Sequence, residues 1–110
     1  MQILIQTLCS KGRSLREAIA NDARHLESHQ LQVLLQKRPG RQHGWAKLRS
    51  TLPGRHGAIN LEWDAGTHVL LSRVVTRGKG RPHGIIGDYV DYLLDRHARR
   101  VQAIHVIPRK

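Results

Sequence analysis

The sequence predicts an α+β sandwich, with helices on one face of a mainly antiparallel sheet. Three observations predict it. Two segments carry apolar residues at three- and four-residue steps, and six carry apolar runs or alternation of strand length. Glycine, proline, asparagine or aspartate punctuate most of the joins.

Residues 2–8 are apolar and β-prone, and the turn chemistry of Ser10-Lys11-Gly12-Arg13 stops them. Ser14-Leu15-Arg16-Glu17 has the form of a capping box, and Leu15, Ala18, Ile19, Ala23 and Leu26 continue one apolar stripe, so a helix is expected from Ser14 to near Glu27. Strands follow at 31–36, closed by Arg38-Pro39-Gly40, and at 45–50, closed by Pro53-Gly54. From Gly57 to Trp63, Ile59, Leu61 and Trp63 alternate with Asn60 and Glu62, and Asp64-Ala65-Gly66-Thr67 turns into a strand over 69–75, which makes a hairpin. The loop 77–84 leads into a second helix, with Ile85, Ile86, Tyr89, Val90, Leu93, Leu94 and His97 on a broad face up to about Arg100. The apolar run 101–107 is a last strand, expected inside the sheet. The order β-α-β-β-β-β-α-β resembles a ferredoxin-like split β-α-β sandwich with an added hairpin, two helices on one face and the other face open. The 110 residues fit one domain spanning 1–110, with an Ile, Leu, Val and Ala core, because Phe is absent and aromatics are 4%.

Charge narrows the function. Nineteen Lys and Arg against eight Asp and Glu give +11 at pH 7, beyond what solubility requires, and such a surface is rewarded by phosphate contact and counterion release. The expected partner is nucleic acid, RNA or single strands ahead of duplex DNA. No long apolar span or secretory signal is present, so no membrane is expected and the location is read as cytoplasmic. Cys9 is alone, which excludes an internal disulfide.

Between Glu27 and Glu62 there is no acid, while Lys37, Arg38, Arg41, Lys47, Arg49 and Arg55 fall there. If Ala46 and Leu48 face the helices, Trp45, Lys47 and Arg49 face outward together, an arrangement that stacks a base and meets phosphate. The alternative is that Trp45 is core and the cations merely solvate. The two glycine-basic loops, with Lys11 and Arg13 and with Arg77, Lys79 and Arg81, each precede a helix, where unpaired amides favour an anion. Neither is a phosphate loop of the Gly-x-x-x-x-Gly-Lys type, and no nucleotide cofactor is expected.

The series Arg77-Gly78-Lys79-Gly80, an amphipathic helix and Val-Gln-Ala-Ile, within 74–104, resembles the closing third of a small MutS-related domain, a family associated with nucleic-acid cleavage. That family usually has His where Arg77 stands and an Asp-x-His-Gly signature near its start, which this chain lacks. Cleavage has further candidates in the residues themselves. His56 and His83 lie in glycine-flanked basic loops and suit a general base for a ribose hydroxyl. Glu62 and Asp64 share one side of a strand and suit paired carboxylates for a divalent ion, without the lysine such nucleases place on the next strand. Asp88, Asp91 and Asp95 form a helical stripe expected to pair with Arg99 and other cations. With one cysteine and no His-Glu-x-x-His, no metal site is expected. Three functions remain: a nucleic-acid-binding domain, a small nuclease, and an adaptor for an acidic protein partner, with a homodimer through an exposed strand edge as a further option.

Overall fold

Period-two alternation becomes one buried sheet face. The computed structural model describes residues 2–37, 44–76 and 80–109. Its elements are β1 (Gln2–Cys9), α1 (Leu15–Ala20), α2 (Ala23–Ser28), β2 (Leu31–Lys37), β3 (Trp45–Ser50), β4 (Ala58–Asp64), β5 (Val69–Val75), α3 (His83–Arg96) and β6 (Val101–Arg109). Among the described residues these six strands form one sheet in the order β2-β3-β4-β5-β1-β6, and every neighbouring pair is antiparallel. The fold is α+β, as the periodicity predicts.

Register explains why one face is dry. Ile3 lies opposite Val74, and Val74 opposite Ile59; Ile5 opposite Ser72, and Ser72 opposite Leu61; Thr7 opposite Leu70, and Leu70 opposite Trp63. All nine are buried, and so are Ala46 and Leu48, the next in these rows on β3. Leu15, Ile19, Leu26, Ile85, Tyr89, Tyr92 and Leu93 cover this face from the helices. Each buried Leu or Ile contributes about 1.5–3 kcal/mol of transfer free energy. Ser72 is polar within this face because its Oγ lies 2.7 Å from the Tyr89 hydroxyl, so both buried hydroxyls are satisfied. Burial keeps Tyr89 neutral by raising its pKa above the ordinary value.

The first helical segment differs from expectation: it is two six-residue helices. Asn21 N donates to Glu17 O and Asp22 N to Ile19 O, which tightens and ends α1. Asp22 occupies the N-cap position of α2 without capping it, because its carboxylate is turned to α3. There Tyr92 Oη donates to Asp22 Oδ2 at 2.8 Å and Arg96 Nε donates to the same oxygen at 3.0 Å, while His25 Nδ1 lies 2.8 Å from Oδ1. Desolvation works against this carboxylate, but the bonds from Tyr92, His25 and Arg96 outweigh it and hold its pKa below the usual value. Since the Tyr92 hydrogen is committed to Asp22, His97 Nε2, 3.0 Å away, donates to the Tyr92 oxygen. Burial, above all, keeps His97 neutral by lowering its pKa.

The last strand is a second correction. β6 pairs with β1 and stands at the sheet edge, because β5 takes the other side of β1 and the β2–β5 meander continues outward from it. Its apolar run reflects packing along β1, while Gln102, His105, Val106, Ile107 and Pro108 remain exposed. The second helix begins at His83 and ends at Arg96, earlier than expected, with the His97 amide closing on Leu93 O. Among the described residues no helix is long and apolar enough to cross a membrane.

Candidate nucleic-acid interface

β3 sets out the basic side of the open face. With Ala46 and Leu48 buried on the helix side, Trp45, Lys47 and Arg49 project from the other. The register extends this row by row. Lys47 is opposite Asn60 and Asn60 opposite Arg73; Arg49 is opposite Ala58 and Ala58 opposite Val75; Trp45 is opposite Glu62 and Glu62 opposite Leu71. Trp45 is half-buried, and Lys37 Nζ stands 5.6 Å from its ring centroid. Its own lysine therefore covers the ring, and a stacking base has to displace that cation or use the opposite side.

A depression of about 360 Å³ opens on this face, lined by Lys47, His56, Gly57, Ala58, Asn60 and Val75. Glycines shape its rim. Gly57 has φ +111°, a region that L side chains rarely adopt, and a Cβ on Gly80 would fall 2.7 Å from His56 Cβ, so His56 packs on the main chain at Gly80. The Arg55 side chain crosses Gly84, where a Cβ would collide with its guanidinium, and Arg55 Nε is 3.7 Å from Asp88 Oδ2. The 51–57 loop is thus fastened to the start of α3. Pro82 stands at the α3 N-cap without a side-chain cap bond, and Arg81 and His83 are exposed beside it. Arg55 and His56 arrive at this helix start from a different loop. Arg38, Arg41, Arg77 and Lys79 lie outside the described residues.

Lys11 and Arg13 are not brought to this place. Their loop follows the other end of β1, where Cys9 N donates to His68 O and Ser10 N to Arg100 O, about 20 Å along the strands from the depression at ~3.3 Å per residue. Arg100 organises it: Nη2 donates to the carbonyls of Ser10 and Arg13, both at 3.1 Å, and the guanidinium lies 5.9 Å from the Trp63 ring centroid. Ser14 Oγ accepts from Glu17 N at 3.3 Å, half of the expected capping box. Two carbonyls of this loop are turned onto the Arg100 cation, and the helix behind it has six residues.

Glu62 and Asp64 are exposed on the open side of β4, yet Asp64 Oδ1 accepts from Gly66 N at 2.9 Å and so serves the hairpin turn. The aspartate stripe of α3 meets partners that spacing did not disclose. His29 lies between two of them, Nδ1 at 3.1 Å from Asp91 Oδ2 and Nε2 at 2.8 Å from Asp95 Oδ2. The bond to Asp95 leads in raising the His29 pKa, burial opposes it, and Asp91 adds to the rise. Arg16, whose burial is complete, also went unmarked by the periodicity. Among the described residues no cluster of three or more His, Cys, Asp or Glu is arranged to hold a metal ion.

Comparison with protein-family models, curated proteins and solved structures finds no match for this chain.

Proposed function

We propose that the protein binds nucleic acid through the open face of β3–β5 and the adjoining 51–57 loop, with single strands or RNA preferred to duplex DNA. The observation that carries this reading is the placement of Lys47, Arg49 and Arg73 on neighbouring rows of one open face, beside the depression that His56 and Asn60 line. Cations on a pleated surface meet successive phosphates, while Asn60 and the half-buried Trp45 offer a hydrogen-bonding edge and a ring to bases. The charge of +11 supplies the long-range attraction. A cytoplasmic location, and a split β-α-β sandwich enlarged by one hairpin as the scaffold, belong to the same reading.

His56 and Lys47 lining one depression favour a second reading, RNA cleavage with His56 as general base and Lys47 beside the developing phosphorane charge. Labelled single- and double-stranded RNA and DNA, incubated with and without magnesium and read for both retention and cleavage, separate the two. Retention without cleavage supports binding alone. Cleavage of RNA but not DNA without magnesium supports the second, and no retention of any strand refutes both.

A further inference from the structure

The two edges of the sheet are built differently. β2 breaks register between Val33 and Leu35, with Leu34 turned out, and ends in the exposed Lys37. Bulges and lysines are the devices that keep an edge from pairing. On β6 the one irregularity lies near its start, where the register against β1 shifts between Leu8 and Cys9, and the strand runs regularly from Ala103 onward. Val101–Pro108 is eight residues without Lys, Arg, Asp or Glu in a chain of charge +11. Among the described residues the outer edge of β6 pairs with nothing, and Val106 and Ile107 are 45% and 39% exposed on its two faces.

We propose that β6 pairs antiparallel with β6 of a second copy, about a two-fold axis at His105. The occupant follows from charge and from self-complementarity. Two bodies of +11 approach at least cost along Val101–Pro108, which holds no Lys, Arg, Asp or Glu, and this pairing leaves Arg109 at the two ends of the overlap. His105 is the middle residue of the nine-residue strand, so this register overlaps it fully. It sets Ile104 opposite Val106 of the second copy on the helix side, twice by symmetry, and Ala103 opposite Ile107 on the open side, a small residue against a large one. Pro108 sits last but one, where its missing amide costs at most one ladder bond per copy. Because the axis is normal to the sheet, both open faces lie on the same side of a continuous twelve-stranded sheet, six strands from each copy. This pairing does not depend on nucleic-acid binding.

The test uses the full chain in sedimentation equilibrium and two variants that each add one cysteine. Cys9 is buried, so an added cysteine reports alone. Residues directly opposite in an antiparallel pair have Cα atoms roughly 4.5–5.5 Å apart, within disulfide reach. His105→Cys with oxidised glutathione is expected to give a covalent dimer, while Lys37→Cys on the β2 edge stays monomeric. Val106→Lys weakens association at least about tenfold, since two cross-strand pairs are lost and charge is added. If that variant misfolds, as circular dichroism would show, His105→Cys still decides. A chain that is monomeric up to about 100 µM, or covalent dimer in the Lys37→Cys variant and none in His105→Cys, overturns the proposal.

Discussion

Replacing Asp22 with Ala removes the acceptor that joins α2 to α3. The Tyr92 hydroxyl is buried and its bond is charge-assisted, a class worth about 1.5–3 kcal/mol. Arg96 and His25 are 46% and 45% exposed, so solvent limits each to at most about 1 kcal/mol. No capping bond is lost, because Asp22 makes none to α2. The expected destabilisation is about 2–4 kcal/mol, read as a lower urea midpoint at unchanged slope. Arg96→Ala should cost less than about 1 kcal/mol. The effect depends on pH with a defined sign. The folded pKa of Asp22 lies below its unfolded value of 3.8, so its contribution is complete above pH 3.8 and is lost as pH falls through the lower folded value. Wild type and variant should therefore converge in strong acid. A loss under about 1 kcal/mol at neutral pH, or one matched by Arg96→Ala, would refute the reasoning.

Two further outcomes are expected. The raised pKa of His29 gives the opposite sign: its charge-linked contribution is present below pH 6.5 and disappears as pH rises through the folded value, so the pH-dependent part of the difference between His29→Gln and wild type should appear on the acid side. With Asp91 and Asp95 75% and 64% exposed, that difference should stay near or below about 1 kcal/mol in urea titrations at a series of pH values. Trp45→Ala should leave the fold intact, the ring being half-buried, and weaken single-strand binding by about 1–3 kcal/mol in fluorescence anisotropy; an unfolded variant would make Trp45 a core residue.

The parts of this fold that are legible in the sequence are those where neighbours along the chain decide the outcome. Alternation of Ile59, Leu61 and Trp63 marks the hairpin, and that of Ala46 and Leu48 puts Lys47 and Arg49 on the outer face, because period two sorts side chains strand by strand. What stays illegible depends on distant partners. The Asp22 carboxylate is taken by Tyr92, 70 residues on, and the Asp91 and Asp95 carboxylates by His29, 62 residues before Asp91. An apolar run such as 101–107 reads alike at an edge and at a centre. The meeting of His56 with Gly80 joins two loops whose glycines gave only freedom, not destination.

The most direct measurement is the salt dependence of affinity for single-stranded RNA and DNA, compared between wild type, the Lys47→Gln, Arg49→Gln, Arg73→Gln variant and a Lys11→Gln, Arg13→Gln control. Loss of three phosphate contacts should make the slope of log K against log salt shallower by about 2 and weaken binding at low salt, while the control, at the far end of the strands, changes little. An unchanged slope in the triple variant, or an equal effect in the control, would contradict binding on the open face of β3–β5.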